Sequence, residues 1–134
     1  MVRKNISSGS RFETEGAYSR VVVMGPWILL SGCTGFDYAT GNISADPAQQ
    51  AEQTFHNIAT ALHAAGATLA DVVRSNMILK DTADYIHIAP VLRRHYGSVM
   101  PASTAWQAEL MDPRMRIEIE VTAYRAEPER MQPD

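Results

Sequence analysis

The chain has a single cysteine among its 134 residues, so it cannot form an internal disulfide. That fits a reducing, cytoplasmic setting. A surplus of positive charge is missing too, since 12 Lys and Arg stand against 15 Asp and Glu for a formal net charge of −3. No basic, aromatic-studded stretch interrupts this balance, and nucleic acid is therefore not the expected partner. No apolar run approaches the roughly 20 residues that a spanning helix needs. Behind Arg3 and Lys4 there is no apolar segment of the kind that marks a signal peptide. Neither a membrane nor an export signal enters the reading. Metal signatures are also absent, because His56, His63, His87 and His95 fit neither HExxH nor a Cys/His cluster. There is no GxGxxG and no P-loop lysine. Ser31 precedes Gly32 but comes after Leu30, so it makes no G-x-S-x-G elbow.

What remains is a chain of one domain, residues 1–134, long enough to bury about two thirds of its unfolded surface. Residues 101–125 read as a C-terminal hairpin. Its second strand alternates, with Ile117, Ile119, Val121 and Ala123 on one side and Glu118, Glu120, Thr122 and Tyr124 on the other. One face belongs to the core. The other must meet water, a partner subunit or a ligand, because two carboxylates on one strand face are costly to bury. The pairing strand falls at residues 103–110, with the turn at Pro113, which cannot donate to a ladder.

The N-terminal residues 1–10 are expected to be mobile or to lie along an edge, and residues 126–134 to be frayed. Residues 11–18 give at most a short irregular strand. The apolar runs 19–24 and 27–31, broken by Gly25-Pro26, predict a hairpin of central strands covered on both faces. Residues 32–42 form a glycine-bearing loop of functional length. Asp46 as N-cap and Pro47 at the first helical position open a helix. Its core stripe is Ala51, Phe55, Ile58, Ala59, Leu62 and Ala65, and Gly66 ends it. A strand comes next at 72–80, with Val73, Met77 and Leu79 on one side and Arg74, Asn76 and Lys80 on the other. A second helix runs to about Tyr96, its regularity threatened by Pro90. The sum is an α+β fold: a mixed sheet of about six strands with two helices on one face. Two helices leave the other face uncovered, and a further copy of the chain is the economical cover.

Taken singly, most candidate site residues have a structural reading. Cys33 suits a small packed thiol better than a nucleophile, since no histidine is near it in sequence. Tyr18, Asp37 and Tyr38 are polar-tipped residues of loops and strand ends. Glu120 differs because a strand can hold its carboxylate in place to anchor or deprotonate a water.

Taken together, several segments carry a family pattern: Tyr18-Ser19, Leu30-Ser31-Gly32, Gln53 with Asn57-Ile58, the run 64–73, Asp84-Tyr85, Pro101-Ala102 and Ile117-Glu118-Ile119-Glu120. In this order the chain resembles the RidA (YjgF) reactive-intermediate deaminases, also labelled endoribonuclease L-PSP. The resemblance implies a chorismate-mutase-like fold and a homotrimer with small-molecule pockets at its subunit interfaces. It also implies hydrolysis of enamines and 2-imino acids to 2-keto acids and ammonia without metal or organic cofactor. Tyr18, Ser31 and Glu120 match pocket positions, Glu120 being the catalytic one. The family's Pro-Ala-Arg-Ser, however, reads here Pro101-Ala102-Ser103-Thr104. Serine replaces the arginine that grips the substrate carboxylate, Ala105 replaces a frequent cysteine, and Cys33 stands where glutamine is common. Arg20, Arg74, Arg114 or Arg116 could in principle bring the charge from elsewhere in the chain. Losing a charge-assisted fork costs about 1.5–3 kcal/mol, so weak or absent turnover of 2-imino acids is expected. Two hypotheses result. One is a cofactor-free hydrolase in which Glu120 positions water, Ser31 and Ser103 offer hydroxyls, Tyr18 closes the mouth and Trp106 or Phe36 supplies apolar wall. The other is a trimer that binds a metabolite, or stabilises other proteins, without turnover.

Overall fold

The computed structural model describes residues 2–125, so the tail at 126–134 lies outside the described residues. Seven strands form one sheet: β1 (Arg3–Ile6), β2 (Val21–Met24), β3 (Trp27–Leu30), β4 (Cys33–Thr34), β5 (Val72–Leu79), β6 (Ala102–Gln107) and β7 (Ile117–Tyr124). Their order is β1-β2-β3-β7-β5-β6, and β4 also pairs with β7. The helices are α1 (Arg11–Gly16), α2 (Pro47–Ala64) and α3 (Tyr85–Tyr96). No helix among the described residues is long and apolar enough to cross a membrane.

Helix α2 forms where its caps predict. Asp46 accepts from the Ala48 amide, Pro47 occupies the first turn, and Gly66 (φ 77°) ends it as the Gly66 and Ala67 amides return to His63 and Leu62. Its buried face, with Phe55, Ile58 and Leu62, packs against Ile28, Ile117, Ile119 and Val121 of the sheet in a single core that also takes Ile88 and Val91 of α3. Helix α3 runs on through Pro90, and only the preceding turn at Thr82–Asp84 is separate, as a 3-10 turn.

The C-terminal hairpin is not formed. Strand β5 lies between the two expected partners, parallel to β6 and antiparallel to β7. The chain crosses over through α3 after β5 and lays β6 at the sheet edge; β7 then enters on the other side of β5, beside β3. Residues 11–16 are helix and not strand, held by a Ser10 cap and by Glu13, whose buried carboxylate accepts from the Ser8 amide and hydroxyl and faces Arg20 at 3.5 Å. Of the two readings of the N-terminal residues, the edge is the one found, since β1 pairs with β2. Val73 does not share the buried side of Met77 and Leu79, because a bulge between Val72 and Arg74 turns it outward, 45 % exposed.

Strands β2 and β3 are not covered on both faces. Trp27 and Leu29 are each nearly half exposed, and Tyr124 stands edge-on to Trp27 at 4.8 Å between centroids. Both long helices lie on the opposite side of the sheet, so the face bearing Trp27, Leu29, Thr122 and Tyr124 has nothing packed on it within the described residues of one chain.

Candidate active site

The uncovered face gains its shape from a register fault. Leu29 of β3 lies opposite Thr122, whereas Cys33 of β4 lies opposite Ile119, so four steps along one strand match three along β7. The extra residue falls at Ser31-Gly32, a bulge of the kind that re-aims side chains beside active sites. Helix α2 fixes the chain beyond the bulge. Asn57 donates to the carbonyls of Thr34 (2.9 Å) and Phe36 (2.7 Å). Fully buried Gln50 donates to the Ser44 and Arg114 carbonyls and accepts from the Arg116 amide at 2.8 Å. The glycine-bearing loop and the approach to β7 are thereby tied to one rigid helix.

Beside the bulge, Gly32, Asn76, Ile78, Thr104, Trp106, Glu118 and Glu120 line an open groove of about 410 Å³. Glu120 accepts from the Asn76 amide group at 2.9 Å, which orients the carboxylate. Glu118 is half-buried, and a side chain on Gly32 would collide with it, since a Cβ there would run into its carboxylate. Burial raises the Glu118 pKa above the usual carboxylate range; Arg20 opposes the shift and Glu120 adds to it. On the other side of Gly32 and Glu118, a second cavity of about 310 Å³ is walled by Phe12, Tyr18, Arg20, Tyr38, Met111 and Met115.

The expected site residues separate on this frame. Glu120 and Trp106 share the groove, and Tyr18, 41 % exposed, stands at the adjoining cavity. Ser31 sits at the bulge with its hydroxyl donated to the Ser19 carbonyl at 2.6 Å. Cys33 is fully buried on the helix side, and burial pushes its thiol up to about 11. The thiol is out of reach of a ligand in the groove and unreactive near neutral pH. Ser103 is opposite Ser75, which in turn is opposite Val121, so it points to the helix side of the sheet edge, away from its own chain's Glu120. Phe36 is buried too, under the Arg114 guanidinium.

The four arginines that could stand in for the missing one also divide. Arg116 holds Asp84 through two bonds of 2.8 and 2.9 Å, and Arg114 holds Asp112. Arg20 is buried, donates to the Gly32 carbonyl at 2.6 Å and lies against the Tyr38 ring. Arg74, opposite Thr122, projects on the groove side of β5, two residues from Asn76, and is exposed. The alternation of β7 points to Glu118 as well as to Glu120, but only the register shift at Ser31-Gly32 singles out its seat. Asn76 carries no signal until the order of the strands is known. Among the described residues no group of His, Cys, Asp and Glu could hold a metal ion.

A mixed sheet with its two long helices on one face and an acidic groove at a bulge on the other defines an α+β protein of the YjgF/UK114 type. The sequence agrees. The model of the Endoribonuclease L-PSP family matches residues 8–125, and the chain belongs to that family, the RidA/YjgF proteins. The bovine (Bos taurus) 2-iminobutanoate/2-iminopropanoate deaminase is 33 % identical over 126 residues, 93 % of this chain and 92 % of the relative. A Mycobacterium tuberculosis member of the YjgF/YER057c/UK114 family has a structure matching with a TM-score of 0.84 at 34 % identity, covering 92 % of this chain and 100 % of that one. RidA from an Antarctic Psychrobacter matches with a TM-score of 0.77, also at 34 % identity, covering 82 % and 89 %.

Proposed function

We propose that the protein is a cofactor-free imine hydrolase, acting as a homotrimer whose small-molecule pockets lie between subunits, and slow toward 2-imino acids because Ser103 stands where arginine is usual. The observation that carries the reading is Glu120, held by Asn76 in an open groove with apolar wall on one side, as a water-positioning carboxylate requires. The deaminase relatives supply the reaction class. Water adds to the C=N carbon and ammonia leaves, so the groove needs a base, a proton source and shelter. It does not need a metal or an organic group.

The trimer is supported by what one chain leaves unfinished. Trp27, Leu29, Val73, Trp106 and Tyr124 leave large apolar side chains exposed, an unusual load for a free surface. Ser103 and Ala105 project from the edge strand to the side away from their own Glu120. The chain's own β6 brings Thr104 and Trp106 to the groove, and in a trimer a neighbouring copy would bring the Ser103 and Ala105 side of its β6 there as well. Without arginine at this edge, Arg74 is the cation left on the groove side among the four, and a substrate with a weak demand for carboxylate recognition suits the site best.

The test is ammonia release from freshly generated 2-iminobutanoate at high protein concentration. Catalysed release that Glu120→Ala abolishes supports the hydrolase. Release no faster than buffer, together with a ligand that raises thermal stability and is recovered unchanged, favours the non-catalytic binder that the lost arginine also permits.

A further inference from the structure

We infer that Glu118 is the proton donor of this hydrolysis, delivering a proton to the imine nitrogen while Glu120 steers the water; the assignment rests on the hydrolase reading above. Three features of its place single it out. Among the described residues it is the only carboxylate shared by the groove and the Tyr18 cavity, so a ligand bridging the two must pass it. Its seat exists because Gly32 has no side chain. And it forms no hydrogen bond or ion pair with any described residue although it is half-buried, whereas Glu120 two residues away accepts from Asn76. A half-buried carboxyl with no donor aimed at it is cheaper protonated than charged.

The groups facing it agree on balance. Arg20, from the segment leading into β2, favours the charged form. Glu120 on its own strand disfavours it. Cys33 on β4 is an uncharged thiol near neutral pH, and Tyr18 and Tyr38 bring phenol rings to the same cavity, with exposed Glu15 at its rim. Burial outweighs the guanidinium, and the net shift is upward. Two carboxyls in unlike surroundings, Glu120 oriented by Asn76 and Glu118 half-buried with no donor, suit a division of acid and base work.

The proton balance closes over one turnover. As the water oxygen bonds to the imine carbon, the water's proton passes to the Glu120 carboxylate, and the C=N electron pair moves to nitrogen, which takes the Glu118 proton. The product is a neutral carbinolamine. Glu120 then protonates its amine, the C–N bond breaks as ammonia leaves, and the hydroxyl proton goes to Glu118 as the carbonyl forms. Both carboxyls end as they began.

Ammonia release from freshly generated 2-iminobutanoate, followed across pH for wild type, Glu118→Gln, Glu118→Asp and Glu120→Gln, tests the assignment. For Glu118→Gln we expect kcat to fall about 10²- to 10⁴-fold with KM little changed, the range a positioned general acid supplies. The alkaline limb of the wild-type profile should vanish with it, and Glu118→Asp should restore part of the rate. An active wild type matched by Glu118→Gln in rate and alkaline limb overturns the donor role and leaves the hydrolase standing. A wild type no faster than buffer overturns the hydrolase and the donor role together. Should Glu118→Gln fail to assemble, carboxyl-carbon NMR of the glutamate-labelled wild type decides: titration above the usual value of about 4.3 supports the assignment, and titration at that value overturns it.

Discussion

Strand β7 has two faces with the same backbone and opposite fates. Ile117, Ile119, Val121 and Ala123 are all buried at 3 % exposure or less under the helices, while Glu120, Thr122 and Tyr124, with half-buried Glu118 at the Gly32 bulge, lie on the side that neither long helix covers. The first face is finished within one chain. The second combines exposed tryptophan, leucine and tyrosine with two carboxylates, a mixture that neither solvent nor a dry core suits. Stability is concentrated on one side of the sheet. The other side is left for recognition, and changes on the two sides should be separable by experiment.

The largest separation is expected from the core. Phe55 is fully packed between the helices and the sheet, with His95 stacked on it at 4.5 Å. Phe55→Ala should cost about 3–5 kcal/mol in urea unfolding without altering the groove's ligand preference. Glu13→Ala is the next largest. It strips a buried partner from Arg20, and removing one member of such a pair typically costs about 3–5 kcal/mol, less where part of the charge is reached by water. Burial raises the Glu13 pKa, but bonds from Ser8 and Ser7 and the charge of Arg20 outweigh it and leave the carboxyl below its ordinary value. A lowered carboxyl pKa stabilises the fold above the unfolded value and loses that contribution as pH falls through the folded one. The wild type should therefore lose stability on acidification more steeply than Glu13→Gln, read as the difference in urea midpoint between neutral pH and about pH 3.

Changes on the open face should spare the fold and break the assembly or the chemistry. Leu29→Glu is expected to leave secondary structure intact while lowering the mass in solution. Asn76→Ala frees the Glu120 carboxylate to rotate and should lower ammonia release about tenfold, the loss of one orienting hydrogen bond to a charged group. Smallest of all is the thiol. Cys33 lies on the finished side with its pKa pushed up to about 11, and it should react with an alkylating reagent near pH 8 only after unfolding. Rapid labelling of the folded protein would place it on the wrong face.

Local chemistry makes part of this legible from residues alone. Helix α2 announces itself through Asp46, Pro47, its apolar stripe and Gly66, and β7 through its alternation, because caps and periodicity are properties of neighbouring residues. The order of the strands is not local. Residues 101–125 look like a hairpin because two strands adjoin a proline-bearing turn, and nothing in that segment says that β5 pairs with both. Helix α1 is hidden because its six residues show no stripe: Ser10 caps them, and Glu13 is held by Ser8 and Arg20 on either side of the segment. At the site, Glu120 and Trp106 can be named from alternation and family pattern, but Asn76 and the seat of Glu118 depend on sheet register. Cys33 and Ser103 lie on the strand faces away from the groove, which a register shift of one residue decides.

That the uncovered face is a subunit interface is tested most directly by sedimentation equilibrium of the wild type at micromolar concentration, with Leu29→Glu as the paired sample. The expected wild-type mass is about three times the 14.8 kDa chain, with a lower mass and unchanged secondary structure for the variant. A wild type sedimenting as a single 14.8 kDa chain would contradict it.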